Sequence, residues 1–489
     1  MYKVHFVGRG TVECAEEGKS LLALARENDI EITAPCGGAG KCGKCKVRVN
    51  GEEMLSCQRI VDGDLTVELP RIEDTEIMTA GQMAKVKLDP VQEGWLAAYD
   101  IGTTTVVCFL LSPEGKEVAV ESMLNPQSPY GADVITRIQN ALRDSMEPMT
   151  QAIREGMTDL AEKCCRTAGI TPDQVGVVSV VGNPCMQQMF MGLDVRNLAA
   201  VPFGPVLKKA EIVDAARFLP IFSNAKFLVV PDISGYVGGD TMAGILATEL
   251  YKAQETTLMV DIGTNGEMAL IHNGRMTACS TAAGPALEGA NIRFGTRGAR
   301  GAIDHVKVED GKLVCHVIGD VPAKGICGSG IIDALAAMLN EKIINKRGRI
   351  NTETEIDGER IVPLRDGVYI TQDDIRQVQM AKGAIAAGVE LMSEYLGIEV
   401  GQIRRVLLAG AFGSFMDAES ACRIGLLPAE LSGRITAAGN IAGTGSKMLA
   451  MDKGQLALAQ ELLERIEFIE LAERPGFQRT FAKRMGFVE

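Results

Sequence analysis

The chain has 489 residues, more than one ordinary domain holds, and its 46% hydrophobic and 23% charged content is that of a chain that buries sizeable cores. A formal net charge of −13 opposes nucleic acid and anionic membrane surfaces as partners, because both repel an acidic protein. Its 13 cysteines, with no basic segment leading into an apolar stretch at the N-terminus, predict a cytoplasmic protein with a metal site in place of a disulfide scaffold. The longest apolar runs, 227–231 and 406–411, are of strand length and fall short of a membrane span.

In chain order, Tyr2–Val7 and Gly10–Cys14 are a predicted hairpin. Ser20–Asn28 carries Leu21, Leu22, Leu24 and Ala25 at helical spacing. Lys44–Val49 is the next strand, Asn50-Gly51 a turn, and Leu65–Leu69 a further strand. This order suits an α+β domain of β-grasp type over residues 1–70.

Within it, Cys36, Cys42, Cys45 and Cys57 are spaced C-x5-C-x2-C-x11-C, one residue longer in the first gap than the plant-type 2Fe–2S pattern. Glycines crowd that first gap because a loop around a cluster needs positive φ angles and close approach of backbone N–H groups to the sulfides. Zinc ribbons pair two C-x2-C hairpins, whereas this stretch has one such pair, a lone Cys36 and a distant Cys57. The four thiols are therefore predicted to hold a 2Fe–2S cluster. Cys14, Cys108, Cys315 and Cys422 sit in apolar contexts and read as core residues. Cys164 and Cys165 are adjacent on a helix and cannot both face one site, and Cys185, Cys279 and Cys327 lie near glycine-rich turns, where core packing is again the simpler reading.

Residues 71–95 mix charges with Thr, Gly and Pro and read as a linker, with a short strand at Ala84–Leu88. From Leu96 strands alternate with helices, the signature of α/β layers. One feature occurs twice. The run from Leu96 through Asp100-Ile-Gly-Thr-Thr-Thr105 is echoed from Thr257 through Asp261-Ile-Gly-Thr-Asn-Gly266. Two copies predict two related lobes, 96–255 and 256–489, facing each other across a cleft, with the last helices free to return to the first lobe.

In each copy the glycine lets the turn close on a phosphate, while Thr hydroxyls and backbone N–H groups donate to it. The phosphate grips are then Gly102, Thr103, Thr104 and Thr105 on one side, and Gly263, Thr264, Asn265 and Gly266 on the other. Asp100 and Asp261 repel phosphate and suit Mg²⁺ held through waters. A Walker A loop is absent. Three further glycine-rich turns complete a nucleotide cradle: one at Gly284, one at Gly328-Ser329, and Gly410-Ala411-Phe412-Gly413 for the adenosine. Glu288 is a candidate for positioning the attacking water. Arg293, Arg297 and Arg300 punctuate one loop and suit phosphates or an acidic partner. The four His residues do not cluster in the sequence, so no His-based site is expected.

The paired Asp-x-Gly-Thr turns and the Leu407-Leu-Ala-Gly-Ala-Phe-Gly413 turn resemble the actin–hexokinase–Hsp70 superfamily, which implies a ribonuclease H-like duplicated ATPase fold. A ferredoxin domain ahead of that module, with Asn125-Pro-Gln-Ser-Pro-Tyr-Gly-Ala-Asp-Val-Ile-Thr-Arg137 after the first turn, resembles the ATP-dependent reductive activators of corrinoid proteins. That resemblance implies one-electron reduction of a corrinoid cobalt from Co(II) to Co(I), with ATP, Mg²⁺ and a 2Fe–2S cluster as cofactors. It implies as partners a corrinoid protein and a low-potential electron donor, with homodimerisation left open. Two departures stand out: longer members carry a middle domain for which the 71–95 stretch has no room, and Gln188 stands where relatives tend to have His. Rival readings are an activator of 2-hydroxyacyl dehydratases, which lacks such a ferredoxin module, a small-molecule kinase, which needs no one-electron centre, and a non-catalytic redox sensor.

Overall fold

The computed structural model describes the chain except residues 1, 8, 15–17, 29, 31, 33–37, 39, 41–44, 70–85, 202, 411–415 and 488–489. Tyr2–Phe6 and Gly10–Cys14 pair antiparallel, with Tyr2 opposite Cys14, and Leu65–Glu68 joins Tyr2–Phe6 in parallel. Lys46–Val49 pairs with Leu65–Glu68 and, through a turn in which Asn50 and Gly51 both take positive φ, with Glu52–Leu55. Alternation sends Val4, Phe6, Val47, Val49, Leu65 and Val67 inward. They meet Leu21, Leu22, Leu24 and Ala25 of helix Leu21–Glu27, whose N-terminus is capped by the Ser20 hydroxyl accepting from the Ala23 amide at 3.2 Å. This is the β-grasp domain expected. Of the strand proposed at Ala84–Leu88, residues 84 and 85 lie outside the described residues, and 86–88 are not in a strand.

Two six-stranded sheets follow. The first has the order Glu211–Asp214, Lys226–Val229, Val175–Gly182, Trp95–Ile101, Thr105–Leu111, Glu117–Leu124. The second has the order Ile435–Gly439, Arg405–Ala409, Thr257–Ile262, Gly266–His272, Arg275–Thr281, Ile466–Phe468. In each, three consecutive strands form an antiparallel meander, and a later strand adds in parallel beside the first of them. The duplication seen in the two Asp-x-Gly-Thr runs is thus a duplication of topology, with each run at the first turn of its meander.

Helix Gly239–Ala247 and helix Ile441–Met451 lie between the sheets in a shared apolar core that takes Leu96 and Phe109 from one sheet and Met259 and Ala269 from the other. They cross closely, since a methyl on Gly445 would stand 2.1 Å from the Ala243 carbonyl oxygen. Helix Ile441–Met451 follows directly on a strand of the second sheet, yet its Ser446 hydroxyl donates to the Tyr99 carbonyl at 3.0 Å in the first. Among the described residues no helix is long and apolar enough to cross a membrane.

Candidate functional site

The first turn closes with the Gly102 amide donating to the Thr105 carbonyl at 2.9 Å, and the second with the Gly263 amide donating to the Asn265 carbonyl at the same distance. Both turns line one cleft, a cavity of about 470 Å³ whose wall includes Asp100, Asp240, Asp261, Glu267, Glu288 and Asn440. The two turns are joined by one carboxylate. Glu288 Oε2 accepts from Thr104 Oγ1 at 3.1 Å and from Thr264 Oγ1 at 2.8 Å, taking one hydroxyl from each copy. The residue that the sequence marked as a water-positioning candidate is therefore also a clasp across the cleft.

Beneath the first turn lies the Asn125–Arg137 segment. Asn125 Nδ2 donates to the Gly102 carbonyl at 2.7 Å. The buried Arg137 donates to the carbonyls of Thr103 at 2.5 Å and Gly131 at 3.0 Å. A guanidinium satisfied by backbone carbonyls fixes the turn, so this stretch acts as a brace for the Gly102–Thr105 turn. Burial lowers the Arg137 guanidinium to about 10, which leaves it charged at neutral pH.

Acidity concentrates in the cleft. Burial pushes the Asp100 carboxyl up to about 7, opposed by the Asn440 amide donating to it at 2.8 Å and reinforced by Asp240. Burial, then Asp240 and Asp100, raise Asp261 to about 7 as well. Asp240 itself rises to about 6 through burial, and Glu267 goes well above the carboxylate range through burial and the charges of Asp240 and Asp261. Burial also raises Glu288, with the Thr264 and Thr104 hydroxyls and then Arg297 and Arg137 holding it back. Carboxyls crowded in this way are short of a cation. Among the described residues no three His, Cys, Asp or Glu side chains form a ready-made metal ligand set. The oxygen-only donors Asp100, Asp240 and Asp261 along the cleft fit a hard, hydrated ion such as Mg²⁺.

A pH dependence follows. Between about pH 5 and pH 7 the native chain keeps protons on Asp100, Asp261 and Asp240 that unfolded carboxylates have released, so stability falls as pH rises through that window. The melting temperature of the metal-free protein is expected to drop by a few degrees from pH 5 to pH 7, and Asp261→Asn should flatten the slope. A melting temperature that rises steadily over that range in both proteins would contradict the assignment.

Of the other sequence-predicted residues, Gly102, Thr103, Thr105, Gly263, Asn265, Gly328, Ser329 and Gly410 line the cavity. Gly410 takes φ +88, and a methyl there would stand 2.7 Å from Asp261 Oδ1. Gly266 packs behind its turn against Thr281 and Ile385, and Gly284 opens the turn Pro285–Glu288 off the cavity wall. Ala411, Phe412 and Gly413 lie outside the described residues. Arg297 lines the cleft, whereas Arg293 and Arg300 are exposed. Gln188 is buried and donates to Asn197 Oδ1 at 2.9 Å, which makes it a packing residue of its helix and no part of an exposed docking surface. Asp240, Glu267 and Asn440 were missed. Asp240 had a signal, a Gly238-Gly239-Asp240 run opening a helix, while Asn440 approaches Asp100 only through folding.

Two of the four histidines, far from clustered in the sequence, meet in the fold. His305 and His316 do come together, directly opposite in the strand pair Ala302–Glu309 and Lys312–Val317, with ring centroids 6.5 Å apart. The ten positions between them fold into a hairpin, invisible as a cluster in the sequence, that brings them face to face.

At the first domain, Cys45 is buried and its carbonyl accepts from the Ser56 amide at 2.8 Å, beside Cys57. Gly38 and Gly40 take φ of +99 and +73, and a methyl on Gly38 would stand 3.8 Å from the Cys57 β-carbon. Two positive-φ glycines, one of them against the Cys57 β-carbon, with Cys45 immediately before the next strand, fit a 2Fe–2S cluster site. Cys36 and Cys42 lie outside the described residues.

Comparison with known proteins agrees with this architecture. Family models match residues 5–68 (2Fe-2S iron-sulfur cluster binding domain), 96–253 (RACo middle region) and 255–489 (C-terminal domain of RACo, the ASKHA domain). The corrinoid activation enzyme RamQ of Eubacterium limosum is 35% identical over 409 residues, covering 78% of this chain and 69% of that one. The [Co(II) methylated amine-specific corrinoid protein] reductase of Methanosarcina barkeri is 28% identical over 414 residues, covering 77% and 72% respectively. A solved reductive activator for corrinoid, iron-sulfur protein superposes with a TM-score of 0.73 at 25% identity, covering 100% of this chain and 98% of that one. With its ferredoxin-type domain, its nucleotide-binding two-lobed module and this degree of similarity, the chain belongs to the family of ATP-dependent reductive activators of corrinoid proteins.

Proposed function

We propose that this chain couples ATP hydrolysis to the one-electron reduction of a partner corrinoid protein from Co(II) to Co(I). The observation that carries the reading is the Glu288 clasp: two phosphate turns, one from each sheet, meet at one carboxylate in a chain that begins with a ferredoxin-type domain. A nucleotide entering the cleft competes for the same two hydroxyls, so its binding must rearrange the contact between the two sheets. That is the differential interaction a ligand needs in order to shift a conformational equilibrium.

The residues divide the labour as follows. The turns at Gly102–Thr105 and Gly263–Asn265 hold phosphate oxygens through amides and hydroxyls. Asp100, Asp261 and Asp240 hold Mg²⁺ through waters; the ion, when bound, neutralises phosphate charge. Glu288, released from Thr104 and Thr264, orients water toward the terminal phosphate. Gly410 and the turn after it receive the adenosine. Cys36, Cys42, Cys45 and Cys57 hold the 2Fe–2S cluster, which supplies one-electron transfer near about −400 mV. The electron comes from a low-potential cellular donor. A deficit of ~100–200 mV against the cobalt couple amounts to ~2–5 kcal/mol, within the range that nucleotide-driven population shifts cover.

The test is to supply the anaerobic, cluster-loaded protein with Ti(III) citrate, MgATP and candidate Co(II) corrinoid proteins while following Co(I) absorbance. ATP-dependent Co(I) formation is expected with the cognate partner. Its absence with every corrinoid protein, or phosphorylation of a sugar or polyol, would overturn the proposal.

A further inference from the structure

The strand pair Ala302–Glu309 and Lys312–Val317 is interrupted by a β-bulge. Ile303 pairs with Val317 and His305 with His316, so Asp304 is an extra residue on one strand. Bulges re-aim side chains, and here the Asp304 carboxylate reaches the neighbouring strand, with Oδ1 at 2.6 Å from His316 Nδ1. The inserted residue is also pinned from behind. The Ser329 hydroxyl, at the start of helix Gly328–Asn340, donates to the Asp304 carbonyl at 2.9 Å. Ile303, Val306, Cys315 and Val317 are buried and anchor this small sheet by its apolar face. Asp304 and His316 stay accessible, and both line the cleft that holds the two phosphate turns.

The wall of that cleft divides by chemistry. Asp100, Asp240, Asp261 and Glu267 raise one another's affinity for protons, and Glu288 joins the two turns. Asp304 belongs to neither group. Among the described residues its carboxylate hydrogen-bonds only His316, through Oδ1, which leaves Oδ2 uncommitted. A carboxylate on Nδ1–H also fixes the imidazole with Nε2 directed outward. Such a carboxylate repels phosphate and accepts readily from hydroxyls, as an acidic side chain does for the ribose of a dinucleotide. This stretch of wall therefore suits the one part of a nucleotide that carries hydroxyls and no charge.

We propose that Asp304 and His316 bind the vicinal ribose hydroxyls of the nucleotide, Asp304 accepting from one through Oδ2 and His316 engaging the other through Nε2. Ser329 is a positioning residue that holds the bulge in place. The pair makes the cleft selective for ribonucleotides, because a site built to hydrogen-bond a hydroxyl rejects the analogue that lacks it. The inference rests on the nucleotide reading of the cleft and is independent of the corrinoid partner.

Cluster-loaded, full-length protein is titrated by calorimetry with MgADP and with its 2′-deoxy and 3′-deoxy analogues. The parent is expected to bind ADP about tenfold or more tightly than at least one analogue, as a hydrogen bond to a charged group implies. In Asp304→Ala that preference should collapse to within about twofold, because ADP weakens while the deoxy analogue does not. A merely structural role would weaken all three nucleotides alike and leave their ratio intact. His305→Ala should keep the parent's preference, since that ring is held by Asp333 at 2.9 Å and does not line the cleft. Unsubstituted protein gives a second readout free of folding artefacts. Diethyl pyrocarbonate modification of His316, mapped by peptide mass spectrometry, should be suppressed by MgADP and not by magnesium pyrophosphate. Equal affinity of the parent for ADP and both analogues, a preference that survives Asp304→Ala, or protection of His316 by pyrophosphate as complete as by ADP would overturn the proposal. If no adenine nucleotide bound to the parent, the nucleotide reading of the cleft would fall, and this inference with it.

Discussion

Glu288→Gln is expected to lower ATP hydrolysis by about a hundredfold or more while leaving nucleotide affinity within a few-fold of the parent. The amide oxygen of Gln still accepts from Thr104 and Thr264, so the contacts at 3.1 and 2.8 Å survive and the turns keep their places. What is lost is the carboxylate's negative charge and its capacity to take a proton from water. Glu288→Ala separates the other role. It frees both hydroxyls, and nucleotide no longer has to displace a carboxylate, so affinity for a non-hydrolysable analogue should rise. Phosphate release and calorimetry read the two effects apart. Full hydrolytic activity in the Gln variant would mean that Glu288 is a clasp and nothing more. Unchanged affinity in the Ala variant would mean that the clasp does not compete with phosphate.

The second large effect is expected at the other end of the chain. Cys57→Ser should abolish ATP-dependent Co(I) formation and leave nucleotide binding within a few-fold. A serine hydroxyl remains protonated at neutral pH and replaces a thiolate poorly, whereas the apolar core around Val4, Phe6 and Leu21 does not depend on that sulfur. The first domain does touch the module, through Arg26 donating to the Pro129 carbonyl at 2.5 Å, within the segment that braces the first phosphate turn. Loss of nucleotide binding together with electron delivery would therefore show that this contact couples the two parts. Electron paramagnetic resonance of the reduced protein and calorimetry with nucleotide give the two readings.

How much was legible in advance depended on how local the signal was. The Asp100 and Asp261 turns are continuous in sequence, so the duplicated sheet topology could be anticipated from them, as could the β-grasp hairpin with its Asn50-Gly51 turn. The Asn125–Arg137 stretch was visible only as a family signature. Its purpose emerged when Arg137 was seen to hold the Thr103 carbonyl, a contact between positions far apart in the chain. Asn440 on Asp100 is the extreme case, because no periodicity relates residues separated by most of the module. Short-range apolar character suggested a strand reaching Leu88, yet 86–88 have no partner strand beside them. The histidine pair escaped because a bulge changes which face a side chain occupies, and hydrophobic alternation carries no mark of one inserted residue.

The close approach of Gly445 to the Ala243 carbonyl has a mechanical meaning. Most helix pairs interlock through side chains that must lift out of one groove and drop into another, which gives discrete, ratcheted positions. At this crossing backbone rests on backbone, with no side chain from Gly445 to catch. One turn away on the same pair, the Ile441 side chain is seated against Gly244, so a close backbone contact and a side-chain lock sit side by side, and turning one sheet against the other has to lift Ile441 from that seat.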